Sequence, residues 1–452
     1  MGLISSLKTE KHYSELSKRR RLFLLILVSV GSSAIYTPIY LKTVFYDPLM
    51  EALACTNEQL GTLVTVYAVA ATAFYFFSGI VADKVHVRTL SWVGYAGTAA
   101  LTFVYALLPS YNILLFVFFC YAIFSILIWW GTRFKLVRLI CAEEEYSKKI
   151  GVSYGIFGAA GLVLGVIAIP IVSMFASAAM GIQTLLMVNV AIQLALAVLA
   201  FFTIPRFKGE LSESMSETFS LKGIGEALKN PGVWWASLAM FFIYFVFQGS
   251  TFTTPYMTMC LAAPVLLATI ISTVRTMGMT MIAAPLFGVL SDKAKSPSKV
   301  IIVGSVAVAV CLVGLVLLPH DPGMLVAGCI VICVFAFIIN GMYGIGSGQL
   351  AETHVPVYVF GTAAGLSSII GRLPDTFIHT WFGSLIDVKG TAAFNDIFLI
   401  LAVACLAALF CSVMVIRCSK KNAALEAEEN AAEEALEGAA QDVAAEPAGA
   451  AK

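Results

Sequence analysis

The chain has 452 residues, 60% of them hydrophobic and 12% charged, with a formal net charge of +1. Soluble domains carry about 25% charged residues, and no soluble fold hides this much apolar surface, so a water-soluble globular protein is excluded. A charge so near zero gives no reason to expect a nucleic-acid partner, and the positions of Lys and Arg along the chain carry the information instead.

Residues 1–21 form a basic segment containing Lys8, Lys11, Lys18, Arg19, Arg20 and Arg21, and an apolar run from about Leu22 to Tyr46 follows. That run exceeds the ~7–15 residues of a signal-peptide core and lacks a small-residue cleavage site, which makes it a retained first helix. Apolar segments of membrane-spanning length, ~20 residues each, come next near 58–82, 89–108, 112–133, 150–175 and 182–204. Lys, Glu, Ser and Thr then break the hydrophobicity over 205–231, a linker that ends where Pro231 opens a further helix. Six more segments lie near 233–258, 262–290, 299–319, 323–345, 358–384 and 394–417. The spans divide into six over 22–204 and six over 232–417, and the Ala/Glu-rich stretch 418–452 reads as a solvated tail, helical or disordered.

With twelve spans, Lys84, Arg88, Lys135, Lys222, Lys293 and Arg417 share one side with the N-terminal cluster, while only Lys42 and Lys389 fall opposite. The positive-inside tendency then puts both termini in the cytoplasm. One missed helix would scatter the later cations, so the asymmetry also supports the span count.

Six of the ten cysteines, Cys120, Cys311, Cys329, Cys333, Cys405 and Cys411, lie in apolar segments, where cysteine packs as a small apolar residue. Cys329 and Cys333 have i, i+4 spacing, yet no His or carboxylate in that segment completes a metal site. Cys55 and Cys260 fall on the non-cytoplasmic side, where pairing is open to them and packing is the default. The sequence has no phosphate-binding loop and no nucleophile signature, so neither an ATP-driven pump nor an enzyme is expected, and no cofactor or metal.

Charged residues at membrane depth are expensive and mark function by default. In the eleventh segment Arg372, Asp375 and His379 stand at i, i+3 and i+7, on one helical face, flanked by Gly371 and Pro374, which loosen a helix. They read as a solute site or, for Arg372 and Asp375, as a self-neutralising pair. Arg275, midway along the eighth segment, adds a cation that one aspartate cannot balance, which favours an anionic solute. Tyr36, Tyr40 and Lys42 surround Pro38 in the first segment, and Tyr244, Gln248 and Thr251 form a stripe in the seventh. Such polar stripes suit solute binding and interhelical contacts equally. Trp129, Trp130 and Arg133 end the fourth segment, where snorkelling or cation–π stacking is expected of Arg133.

Gly79-Ile80-Val81-Ala82-Asp83-Lys84, with Arg88 beyond it, ends the second segment, and Gly288-Val289-Leu290-Ser291-Asp292-Lys293 ends the eighth. Glycine allows close helix approach, and an aspartate at such a mouth pairs with a cation or a helix N-terminus. Duplication at matching places implies a duplicated chain with a gate at that mouth. The pattern resembles the loop between the second and third helices of the major facilitator superfamily. Ile35-Tyr36, Leu41-Lys42, Phe45-Tyr46, Ser296-Pro297-Ser298-Lys299 and Ile386-Asp387 look like the YihN-type bacterial permeases, which are themselves similar to the organophosphate:phosphate antiporter branch. The resemblance runs over most of 22–417 and implies two six-helix bundles, one central site and alternating access. The branch's substrate arginines in helices one and seven are not reproduced, since Lys42 and Tyr244 or Gln248 occupy those helices.

The expectation is therefore an all-α membrane protein of twelve transmembrane helices in two pseudo-symmetric six-helix bundles. It is a monomeric secondary transporter in a cell inner membrane, moving a small polar, anionic organic solute with a coupling proton or a counter-transported anion. A transporter-like receptor, or a proton-coupled transporter of a neutral solute such as a sugar, is the alternative.

Overall fold

The computed structural model describes residues 10–142, 145–211, 229–353, 355 and 357–445. Lys8 and Lys222, most of the expected linker and the end of the tail lie outside the described residues.

Helices follow the apolar segments: α1 (Lys18–Tyr36), α2 (Asn57–Lys84), α3 (Val87–Ala106), α4 (Tyr111–Leu139), α5 (Tyr146–Ser173) and α6 (Ala178–Thr203). After the linker come α7 (Pro231–Cys260), α8 (Val265–Ala294), α9 (Pro297–Leu317), α10 (Leu325–Gly346), α11 in two pieces (Val357–Arg372 and Ile378–Lys389) and α12 (Ala393–Ala445). Among the described residues, eight stretches are long and apolar enough to cross a membrane, and α2, bent by 59° after Tyr75, makes a ninth. The arrangement is consistent with twelve spans. The tail to Ala445 continues α12 as helix.

Polar residues at membrane depth are tolerated because their hydroxyls bond back to the preceding turn, as Ser29 does to the Leu25 carbonyl, Thr102 to Thr98 and Thr273 to Thr269. Starts are capped as the sequence suggests: Ser296 accepts from the Lys299 N–H ahead of Pro297 in α9, and Thr56 and Gln59 form a reciprocal capping box on α2. The first helix is shorter than expected. Regular helix stops at Tyr36 because Pro38 has no N–H to continue it, and the chain makes a 3-10 turn over Leu41–Thr43 before a second short helix, Tyr46–Leu53. Two-residue strands β1 (Glu10–Lys11) and β2 (Arg206–Phe207) pair in parallel and tie the N-terminal segment to the linker, which the sequence did not suggest.

The packing repeats. Helix α3 lies on α6, α2 on α4 and α1 on α5; in the second half α9 lies on α12, α8 on α10 and α7 on α11. These are the two six-helix bundles. They meet chiefly through α2 against α11 and α5 against α8. At the first contact a Cβ on Gly61 would overlap the His379 carbonyl, and one on Gly383 would overlap the Asn57 carbonyl, so both close approaches require glycine. The opposite mouth is different. Among the described residues, no heavy atom lies within 4 Å of where a Cβ on Gly79 or Gly288 would stand, so the close approach expected of these motif glycines is not formed with any of them.

Candidate functional site

A small cavity lies between the bundles, lined by Tyr40, Tyr67, Ala71, Tyr75, Arg372 and Asp375. Its C-bundle wall exists because α11 is broken. Pro374 interrupts the helix, a 3-10 turn covers Leu373–Thr376, and regular helix resumes at Ile378. The expected continuous face of Arg372, Asp375 and His379 is thus replaced by a bend that sends Arg372 and Asp375 to different partners.

Asp375 is buried and fully engaged. Oδ2 accepts from the Tyr244 hydroxyl at 2.6 Å, and Oδ1 accepts from Gln248 Nε2 and lies 3.3 Å from His379 Nε2. Helix α7 places both donors because Tyr244 and Gln248 are one turn apart. The self-neutralising Arg372–Asp375 pair considered from the sequence is not what forms. Arg372 instead sits 5.3 Å from the Trp130 ring centroid and 5.7 Å from those of Tyr75 and Tyr244, with one long hydrogen bond of 3.4 Å to the Tyr343 hydroxyl. Among the described residues no carboxylate pairs with this guanidinium.

Lys42 is buried, with Nζ 5.5 Å from the Phe252 ring centroid and no hydrogen-bond partner among the described residues. Tyr40 meets Tyr67 edge to face at the cavity, and Tyr36 donates to the Ser125 carbonyl at 3.2 Å, in a π-helical turn of α4 (Ile123–Ile128). Such turns free backbone carbonyls for other partners. Thr251 is buried in the break of α7.

Arg275 departs from the expectation. It lies in a π-helical turn of α8 (Val274–Gly278) and donates to Ser250 Oγ and the Thr43 carbonyl, both at 2.9 Å, and to Thr254 Oγ1 at 3.4 Å. Its bonds join α8 to the broken part of α7 and to the loop after α1, not to Asp375. Of the two expectations for Arg133, it takes cation–π stacking and not snorkelling: it is 2% exposed, with its guanidinium over the rings of Tyr154 and Phe157.

At the mouth with the repeated motif, Asp83 pairs with Lys135 of α4 at 3.3 Å, within its own bundle, and Arg88 Nε donates to the Ile204 carbonyl at 2.5 Å. Lys84, Asp292 and Lys293 are exposed. All ten cysteines are free thiols, so Cys55 and Cys260 do not pair. The sequence reading passed over Tyr67, Tyr75 and Tyr343, since an aromatic residue in an apolar segment carries no signal of its own.

The model of the Major Facilitator Superfamily matches residues 22–378. Among curated proteins, the chain is similar to the inner membrane protein YihN of Escherichia coli K12, 25% identical over 420 residues covering 91% of this chain and 99% of that one. It is also similar to the inner membrane protein YqcE of the same organism, 24% identical over 369 residues covering 80% of this chain and 87% of YqcE. Among solved structures, a bacterial homologue of the human lysosomal transporter Spinster, inward-facing and unoccupied, superposes with a TM-score of 0.67 at 14% identity, covering 90% of this chain and 98% of that one. The nucleoside transporter NupG gives 0.66 at 15% identity, covering 88% and 98%.

Proposed function

Because the chain belongs to the Major Facilitator Superfamily, we propose that it carries a small, polar, anionic organic solute across a membrane by alternating access, the bundles rocking about the cavity between them. The observation that carries the charge preference is Arg372. Its guanidinium stands at the cavity against three ring faces, no carboxylate pairs with it among the described residues, and its planar fork suits carboxylate or phosphate oxygens. Lys42, buried and without a hydrogen-bond partner among the described residues, adds a second cation. The Lys and Arg asymmetry supports cytoplasmic termini, so the mouth bearing Asp83 and Asp292 opens to the cytoplasm and this state faces inward. The relatives' names favour a bacterial inner membrane.

A second reading, proton-coupled transport of a neutral solute, draws on the Asp375–His379 contact at 3.3 Å. Uptake of labelled organic anions and sugars into proteoliposomes, with and without a proton gradient, separates the two. Uptake of an anion supports the first reading, and uptake of a neutral sugar alone overturns it.

A further inference from the structure

We propose that Arg133 is a second cationic contact of the transport site, and that Arg133 from one bundle and Arg372 from the other together select an organic dianion. The inference rests on the anion reading above and names the substrate class.

Arg133 is 2% exposed, and its guanidinium carbon lies 4.4 Å from the ring centroid of Tyr154, 5.3 Å from Phe157 and 5.6 Å from Phe134. Nε and Nη2 have no hydrogen-bond partner, and no carboxylate pairs with it among the described residues. A buried charge stacked on rings but lacking acceptors is an incomplete arrangement, because π faces do not replace the lost bonds to water. An oxyanion would supply what is missing.

The position fits a shared ligand. Arg372 rests on Trp130 of α4, and Arg133 is three residues further along, on the same face and about 4.5 Å along the axis. Tyr154 is the cover. The residue is 45% exposed, and among the described residues no heavy atom lies within 4 Å of where a Cβ on the flanking Gly151 or Gly155 would stand, which leaves room beside the ring.

Thermal-shift and equilibrium binding measurements on the purified full chain test this with succinate, glycerol 3-phosphate, acetate and glycerol as probes. Wild type should bind a dianion at least ten-fold more tightly than acetate. Succinate against glycerol 3-phosphate tells dicarboxylate from phosphate ester. Arg133→Gln should lose the dianion preference while keeping acetate binding, and Arg133→Lys should restore part of it. An Arg133→Gln protein that folds and keeps the wild-type dianion-to-acetate ratio overturns the inference but leaves the anion reading standing. Binding of glycerol alone by wild type overturns both. Should Arg133→Gln fail to fold, Tyr154→Ala decides: uncovering Arg133 should change dianion affinity several-fold, and unchanged affinity overturns the inference.

Discussion

Asp387 holds Asn57 across the two bundles. Its Oδ1 accepts from the Asn57 backbone N–H at 3.1 Å and from Asn57 Nδ2 at 2.7 Å, while Oδ2 accepts from the Glu58 N–H at 2.7 Å. The first four N–H groups of a helix lack intrahelical partners. In α2, Thr56 and Gln59 satisfy each other, and the two remaining donors go to Asp387 of α11. A helix cap has become a latch between bundles, at the mouth opposite the repeated motif. Asp387→Asn removes a charge worth about 1–2 kcal/mol at a helix N-terminus, a shift of roughly ten-fold in the balance of states. Thiol labelling of a cysteine placed at that mouth should rise accordingly, and unchanged labelling would refute the latch.

Gly61 and Gly383 make the same closure by contact, each against a backbone carbonyl of the other bundle. Gly383→Val should keep that mouth apart, leaving a folded protein that binds solute from outside and does not transport. Wild-type flux from this variant would show that the approach is dispensable.

The spans were legible in the sequence because hydrophobicity and cation placement are properties of single segments. So was Pro374 as a weak point of α11, although not that the break would separate Arg372 from Asp375. The Asp387–Asn57 latch was hidden for another reason: its partners stand 330 residues apart, and helical periodicity orders residues only within one helix. The partners of Arg275 were hidden for the same cause, since the Thr43 carbonyl and Ser250 hydroxyl that hold it have no signature in sequence.

Asp83→Asn should leave folding intact, because the Asp83 carboxylate is half exposed and water screens its pairing with Lys135, so the pair contributes only about 0–1 kcal/mol. If the aspartate serves the closed form of the mouth that bears the repeated motif, transport should nevertheless slow several-fold in proteoliposomes. A wild-type rate would make the motif aspartate a solvated helix end.

Arg372→Lys keeps the charge and loses the planar stack on Tyr75, Trp130 and Tyr244. Since a lysine ammonium cannot reproduce a bidentate fork, solute affinity should fall about ten-fold or more while the protein remains folded. Equal affinity in a binding titration would mean that only charge matters at this position.

Arg275→Gln is expected to behave in the opposite way to a site variant. The guanidinium bonds Ser250 and Thr254 of α7 and the Thr43 carbonyl, and thereby fastens the π-helical turn of α8 to both the broken α7 and the other bundle. Losing a charged donor from buried acceptors costs about 1–3 kcal/mol for each one left unsatisfied, so the apparent melting temperature should drop clearly. Solute selectivity should hold, because none of these bonds reaches Asp375 or Arg372. Measuring both on one preparation separates the roles: a stable Arg275→Gln protein with lost anion preference would return Arg275 to the solute site, whereas a destabilised protein with wild-type selectivity would establish it as a fastening between helices.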